Sequence, residues 1–262
     1  MMAAPRVLVL RAPGTNCDRE TAYAFEQAGA VVSSVHVQQL IEEPAQGAGC
    51  QILCIPGGFS YGDDIAAGRI LAQRLAVHLQ DLIDAFINQD RLVIGICNGF
   101  QVLMRLGVFF PDSPGCVPAT LALNHQARFE DRWVHLSVES TNSVFLKDVR
   151  QLYLPVAHAE GRFVIRDEAA RTQLTANGQL GLRYCDENGK TTDQPLPFPL
   201  NPNGADLNVA GISDPSGRIF GLMPHPERFI DPTHHPFWTR LETLPDYGDG
   251  LAIFRNATEY FA

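Results

Sequence analysis

The chain has 262 residues, 45% of them apolar and 19% charged, with a formal net charge of −9. That length can bury a sizeable core and fits one large α/β domain or two small ones. The negative charge argues against a general binder of nucleic acid or of an anionic membrane surface, and no apolar run is long enough to span a bilayer. Met1-Met2-Ala3-Ala4-Pro5-Arg6 has no signal-peptide apolar region and leads into a strand over Arg6–Ala12. Pro13-Gly14-Thr15-Asn16 reads as a loop, and Asp18 is placed to cap a helix over Glu20–Ala28 that Gly29 stops. Val31–Val37 is a second strand and Gln51–Ile55 a third, ended by Pro56-Gly57-Gly58. Helical spacing over Ile70–Ile87 precedes a fourth strand, Arg91–Ile96. This alternation predicts an α/β fold: a mostly parallel open sheet with helices on both faces. Ligands then belong at the C-terminal strand ends.

After Gly107 the pattern changes. Thr120–Leu123, Arg132–Val138 and Leu152–Val156 read as strands parted by turns, with no long helix between. Leu180–Cys185 followed by Asp186-Glu187-Asn188-Gly189 reads as a hairpin, and Thr192–Ala205 as an ordered loop. Val209–Ile212 and Arg218–Met223 are the last strands, and Gly250–Phe261 closes as a helix. Residues 1–262 are therefore read as one α/β domain with an antiparallel strand extension. The stretch from about residue 231 is left unassigned, between a partner contact and a solvated loop. Six cysteines (17, 50, 54, 97, 116, 185) form no C-x-x-C pair. Reduced thiols in a cytoplasmic protein, with no metal site, are the simplest account.

The chemistry is concentrated in Gly95-Ile96-Cys97-Asn98-Gly99, a G-x-C-x-G stretch between an apolar run and an amphipathic segment. It is the nucleophile-elbow pattern with cysteine in the serine position. A sharp strand-to-helix turn would lift the Cys97 sulfur above the sheet edge, where a helix N-terminus favours a thiolate. Such a nucleophile needs a base and an orienting group. Of eight histidines, His225 in Met223-Pro224-His225-Pro226-Glu227 stands out. Residues before proline are held extended, so Glu227 would share a face with His225 and fix its tautomer. His158-Ala159-Glu160 is a rival pair of the same spacing, without flanking prolines. Gly57-Gly58 and the Asn98 N–H are candidate oxyanion donors.

Gly95-Ile96-Cys97-Asn98-Gly99-Phe100-Gln101 together with Met223-Pro224-His225-Pro226-Glu227 resembles the class I (triad) glutamine amidotransferases. Further stretches narrow the resemblance: Pro13-Gly14-Thr15-Asn16-Cys17-Asp18, Pro56-Gly57-Gly58-Phe59-Ser60-Tyr61-Gly62-Asp63-Asp64, Ala157-His158-Ala159-Glu160-Gly161-Arg162-Phe163 and Asn201-Pro202-Asn203-Gly204. They look like the branch that serves phosphoribosylformylglycinamidine synthases of the purine pathway as glutaminase subunits. The resemblance implies Cys97 as nucleophile, His225 as base and Glu227 as orienter, with Gly57, Gly58, Asn98 and Gln101 at the oxyanion and the substrate. It implies glutamine as substrate, with a synthetase subunit and a small bridging subunit as partners. ATP and magnesium would be used by the synthetase, and no cofactor by this chain. A catalytically silent regulatory or scaffold subunit of the same complex is the alternative. An α/β-hydrolase is disfavoured, because there the acid precedes the histidine. One departure from the family pattern lies in Asn124-His125-Gln126-Ala127-Arg128-Phe129, where Gln126 replaces a serine.

Overall fold

The computed structural model describes residues 3–113, 115–139 and 141–262. Met1 and Met2, the start of the predicted N-terminal run, lie outside the described residues. The first half alternates strand and helix: β1 (Arg6–Arg11), α1 (Asp18–Gln27), β2 (Val31–His36), α2 (Val37–Glu42), α3 (Ala45–Ala48), β3 (Ile52–Ile55), α4 (Arg69–His78), α5 (Gln80–Asn88), β4 (Leu92–Ile96) and α6 (Asn98–Leu106). The second half is richer in strands: β5 (Ala119–Leu123), β6 (Glu130–Val138), β7 (Gln151–His158), β8 (Glu160–Ile165), α7 (Glu168–Ala176), β9 (Leu182–Cys185), β10 (Val209–Ser213), β11 (Ile219–Leu222) and α8 (Leu251–Glu259).

The main sheet runs β2-β1-β3-β4-β11-β10-β9-β6-β7, and β5 and β8 form a separate antiparallel pair. Strands β2, β1, β3, β4 and β11 pair in parallel. The extension through β10, β9, β6 and β7 is antiparallel. Strands β3, β4 and β11 are buried along their whole length, as central strands covered by helices must be. Helix α8 returns to α1, where Phe254 packs edge-on against Phe25 at 4.8 Å. No helix among the described residues is long and apolar enough to cross a membrane.

Several predicted elements are corrected. The helix predicted over Ile70–Ile87 is two, broken at Leu79 (φ −130°, ψ 20°), a residue buried in the core. The break lets Leu71, Leu75, Ile83 and Phe86 all face inward. Asp18 is not the cap of α1 but its first residue, and its carboxylate pairs with Arg11 Nε at 2.6 Å. Helix α7 and strand β8 fall between Val156 and Leu180, where the sequence pattern predicts no element. The apolar face of α7 is only Ala170 and Leu174, too thin to register, but Asp167 caps it by accepting from Ala170 N. The turn at Asp186–Gly189 forms, but it does not lead straight into a second strand; β9 pairs antiparallel with β6 and with β10, which starts only at Val209. Residues 231–247 are mostly exposed and hold two short 3-10 turns. His235 from this stretch packs against Trp133, Tyr153 and Phe229.

Candidate active site

Cys97 alone makes the turn between β4 and α6. Its backbone sits at φ 49°, ψ −104°, a strained conformation for a residue with a side chain. The Cys97 N–H is held by the Leu222 carbonyl of β11 at 2.8 Å. The flanking glycines are required by close approach. A β-carbon on Gly95 would lie 2.6 Å from the Gly99 carbonyl carbon, and one on Gly99 would collide with the Ile55 carbonyl. Helix α6 therefore lies directly on β3 and β4, with the Cys97 sulfur at the carboxyl ends of the strands, 3.7 Å from the Ala157 carbonyl.

His225 follows β11, and its N–H donates to the Pro155 carbonyl of β7 at 2.8 Å. Its Nδ1 lies 2.6 Å from Glu227 Oε1, and both side chains are buried. They do not meet along an extended segment: Pro226–Arg228 is a 3-10 turn that folds Glu227 back under the ring. Against a carboxylate, Nδ1 must be the donor, which leaves Nε2 free; it has no partner among the described residues. Burial opposes a charge on this imidazole, but Glu227, the Cys97 sulfur and a contact with Cys17 outweigh it. They hold its proton well above the ordinary histidine range.

Gly58 stands at φ +136°, where a β-carbon would lie 2.7 Å from Asn16 N and 2.8 Å from Gly14 O. Only glycine fits that loop. The Asn98 N–H opens α6 and has no intrahelical acceptor. The Asn98 side chain is fully engaged. Its Oδ1 accepts from Ser60 N at 3.1 Å, and its Nδ2 donates to Asp63 Oδ1 at 3.0 Å and Gln101 Oε1 at 2.9 Å. Gln101 Nε2 donates to the Glu160 carbonyl. Cys97, Gly58, Gln101, Ala157, His158 and Glu160 line a cavity of about 550 Å³, within the about 300–1,000 Å³ usual for small-molecule sites.

His158 and Glu160 do not form a second dyad. Glu160 Oε1 pairs with Arg105 Nη2 at 3.0 Å, while His158 Nδ1 faces Asn124 Oδ1 at 3.1 Å. Asn124 Nδ2 donates to the Arg128 and His158 carbonyls, which fixes its amide and makes His158 Nδ1 the donor. Burial, reinforced by the charge on His225, lowers His158 to about 3, so the ring is neutral. Gln126 has a buried Oε1 without a partner among the described residues. Two participants carried no role from sequence. Arg105 lay inside a helix pattern. Cys17 sat in a quoted motif, but a single cysteine between Asn16 and Asp18 has no local signature.

Residues 4–261 match the family described as a CobB/CobQ-like glutamine amidotransferase domain. The chain is 44% identical over 260 residues to phosphoribosylformylglycinamidine synthase subunit PurQ of Dehalococcoides mccartyi, covering 99% of this chain and 98% of that one. It is 39% identical over 271 residues to the subunit of the same name from Archaeoglobus fulgidus, covering 97% and 96%. Among solved structures it is similar to PurLQS from Thermotoga maritima, with a TM-score of 0.72 and 28% identity, covering 99% of this chain and 100% of that one.

Proposed function

The chain belongs to the CobB/CobQ-like glutamine amidotransferase family, and from that premise we propose that it is the glutaminase subunit of a phosphoribosylformylglycinamidine synthase. The observation that carries the chemistry is the buried Glu227–His225 pair beside a strained, cavity-lining Cys97. In this reading the Cys97 sulfur adds to the side-chain carboxamide carbon of glutamine, forming a C–S bond. The Gly58 and Asn98 N–H groups take the oxyanion. His225 gives its proton to the leaving nitrogen as the C–N bond breaks, and ammonia departs. Water, deprotonated by His225, then cleaves the thioester to glutamate, and the C–S bond breaks to return the free sulfur beside a protonated His225. Glu227 keeps the Nδ1 proton in place throughout.

The names of the relatives support the assembly. A synthetase subunit would receive the ammonia and, using ATP and magnesium, convert formylglycinamide ribonucleotide to the amidine; a small bridging subunit would complete the complex. This chain would bind no cofactor itself. As one domain with its tail from about residue 231, it would work in the cytoplasm, where its six unpaired cysteines stay reduced. A silent scaffold subunit would leave the backbone strain at Cys97 without a use.

The test is a glutaminase assay with and without the synthetase and its nucleotide substrates, on the wild type and Cys97→Ala. Ammonia release that is stimulated by the partner and abolished in Cys97→Ala, with assembly intact, is the expected result. Unchanged hydrolysis in Cys97→Ala overturns the reading.

A further inference from the structure

We propose that Cys17 is a positioning residue of this centre: its sulfur shares the His225 Nδ1–H with Glu227 and ties the imidazole to Arg228 and to the Gly57 loop. The proposal rests on the reading of Cys97 and His225 as the reacting pair.

Cys17 is fully buried at the start of α1. Three side chains converge on its sulfur: Asn16 Oδ1 at 3.2 Å, Arg228 Nη2 at 3.1 Å and His225 Nδ1 at 3.9 Å. Asn16 Oδ1 can only accept, so it takes the S–H. Arg228 can only donate. The sulfur lone pairs therefore face Arg228 and His225. The Nδ1–H has Glu227 Oε1 as its main acceptor at 2.6 Å and the sulfur as a second, weaker one. Two acceptors on one edge of the ring resist its rotation and keep Nε2 on the opposite side.

Gly57 closes the remaining side. A β-carbon there would lie 2.8 Å from His225 Cε1 and 3.2 Å from Cys17 Sγ. The Cys17 N–H also donates to the Gly57 carbonyl at 3.3 Å. A sulfur-sized atom thus sets the spacing between the base and the loop that carries Gly58. A serine oxygen is smaller and loosens that spacing; alanine also strips Arg228 and Nδ1 of an acceptor. Burial pushes the Cys17 thiol up, so it stays protonated and is no rival nucleophile. Cys17, His225 and Glu227 offer ligand atoms within 4.8 Å of one another, but a cation there would sit against the Arg228 guanidinium, which repels it.

The groups that face the His225 ring are Glu227 from the following turn, Cys17 at the start of α1, Cys97 from the β4–α6 turn and His158 from β7, while Arg228 reaches Glu227 and the Cys17 sulfur. Removing the Cys17 sulfur withdraws one contact that favours the imidazolium. The basic limb of the pH profile should then move to lower pH.

Wild type, Cys17→Ser and Cys17→Ala are compared in the complex with the synthetase. The readouts are kcat and KM against pH, and the pH dependence of Cys97 alkylation by a chloroketone analogue of glutamine. In Cys17→Ala, kcat should fall about tenfold, a small part of the about 10²–10⁴-fold supplied by a positioned acid–base group. KM should stay unchanged, and the basic limb and the alkylation profile should shift together. Cys17→Ser should recover part of both. Unchanged kcat, or a kcat loss with an unmoved pH profile, overturns the proposal, the latter because it marks a merely structural role. If Cys17→Ala does not fold, the basic limb of Cys17→Ser decides alone. Full wild-type hydrolysis that Cys97→Ala abolishes, with both Cys17 variants indifferent, sinks this proposal and spares the glutaminase reading. Unchanged hydrolysis in Cys97→Ala sinks the reading itself.

Discussion

His225 Nδ1 and Glu227 Oε1 stand 2.6 Å apart with both side chains buried. Glu227 Oε2 has no hydrogen-bond partner among the described residues, and the nearest guanidinium nitrogen, Arg228 Nε, is 4.0 Å from Oε1. The imidazolium is therefore the main counter-charge of this carboxylate. Removing one member of such a pair leaves the other buried and uncompensated, which typically costs about 3–5 kcal/mol.

Glu227→Gln keeps an acceptor near Nδ1 but removes the charge. The kcat for glutamine hydrolysis should fall by about 10²–10⁴-fold, the range for loss of a well-placed acid–base function, with little change in KM. The basic limb of kcat should move to lower pH. Steady-state kinetics in the assembled complex check both.

The two histidines with a carboxylate two residues on should separate cleanly. His225→Ala should abolish ammonia release as Cys97→Ala does. His158→Ala should be milder, because its Nδ1 is committed to Asn124 and Glu160 is committed to Arg105. The opposite ranking in a glutaminase assay would assign the base to His158.

His158 also makes stability depend on acid. Its native value is about 3, against about 6.5 in the unfolded chain. Between those values the unfolded state binds a proton that the native state refuses. The contribution is full above about pH 6.5 and falls by about 1.4 kcal/mol for each pH unit below it. His225 has the opposite sign. Its native value is raised, so both states carry its proton in that window; its stabilisation is full there, declines as pH rises above about 6.5 and is gone once pH has risen through the native value. Urea midpoints from pH 7 to pH 5 should drop less in His158→Gln than in the wild type.

Gly99→Ala should damage fold and site together. The added methyl meets the Ile55 carbonyl, and backbone on both sides has no room to yield. Overpacking of this kind costs about 1–3 kcal/mol. Because α6 must lift from β3, the Cys97 turn should shift as well. A lowered melting temperature with a fall in kcat is the expected pair of results; unchanged values for both would show that α6 has slack.

The parallel half was legible because each element signals locally. The run Leu92–Ile96 is apolar throughout, and Pro56-Gly57-Gly58 closes β3. What escaped was set by remote neighbours. Helix α7 buries only Ala170 and Leu174, and β8 exists by pairing with β5. Leu79 breaks a helix whose period runs on through it, and its side chain is itself buried in the core, where α4 and α5 meet.

Sequence by itself determined the alternation, the elbow at Cys97 and the two His-x-Glu candidates, His225 with Glu227 and His158 with Glu160, because each depends on residues within a few positions of one another. Only the tertiary structure decided which His-x-Glu carries a charge pair, which glycine is held by contact with another strand, and that Cys17 stands 3.9 Å from His225 across 208 positions. Those outcomes depend on burial and on groups brought together by chain closure, and no local pattern encodes either.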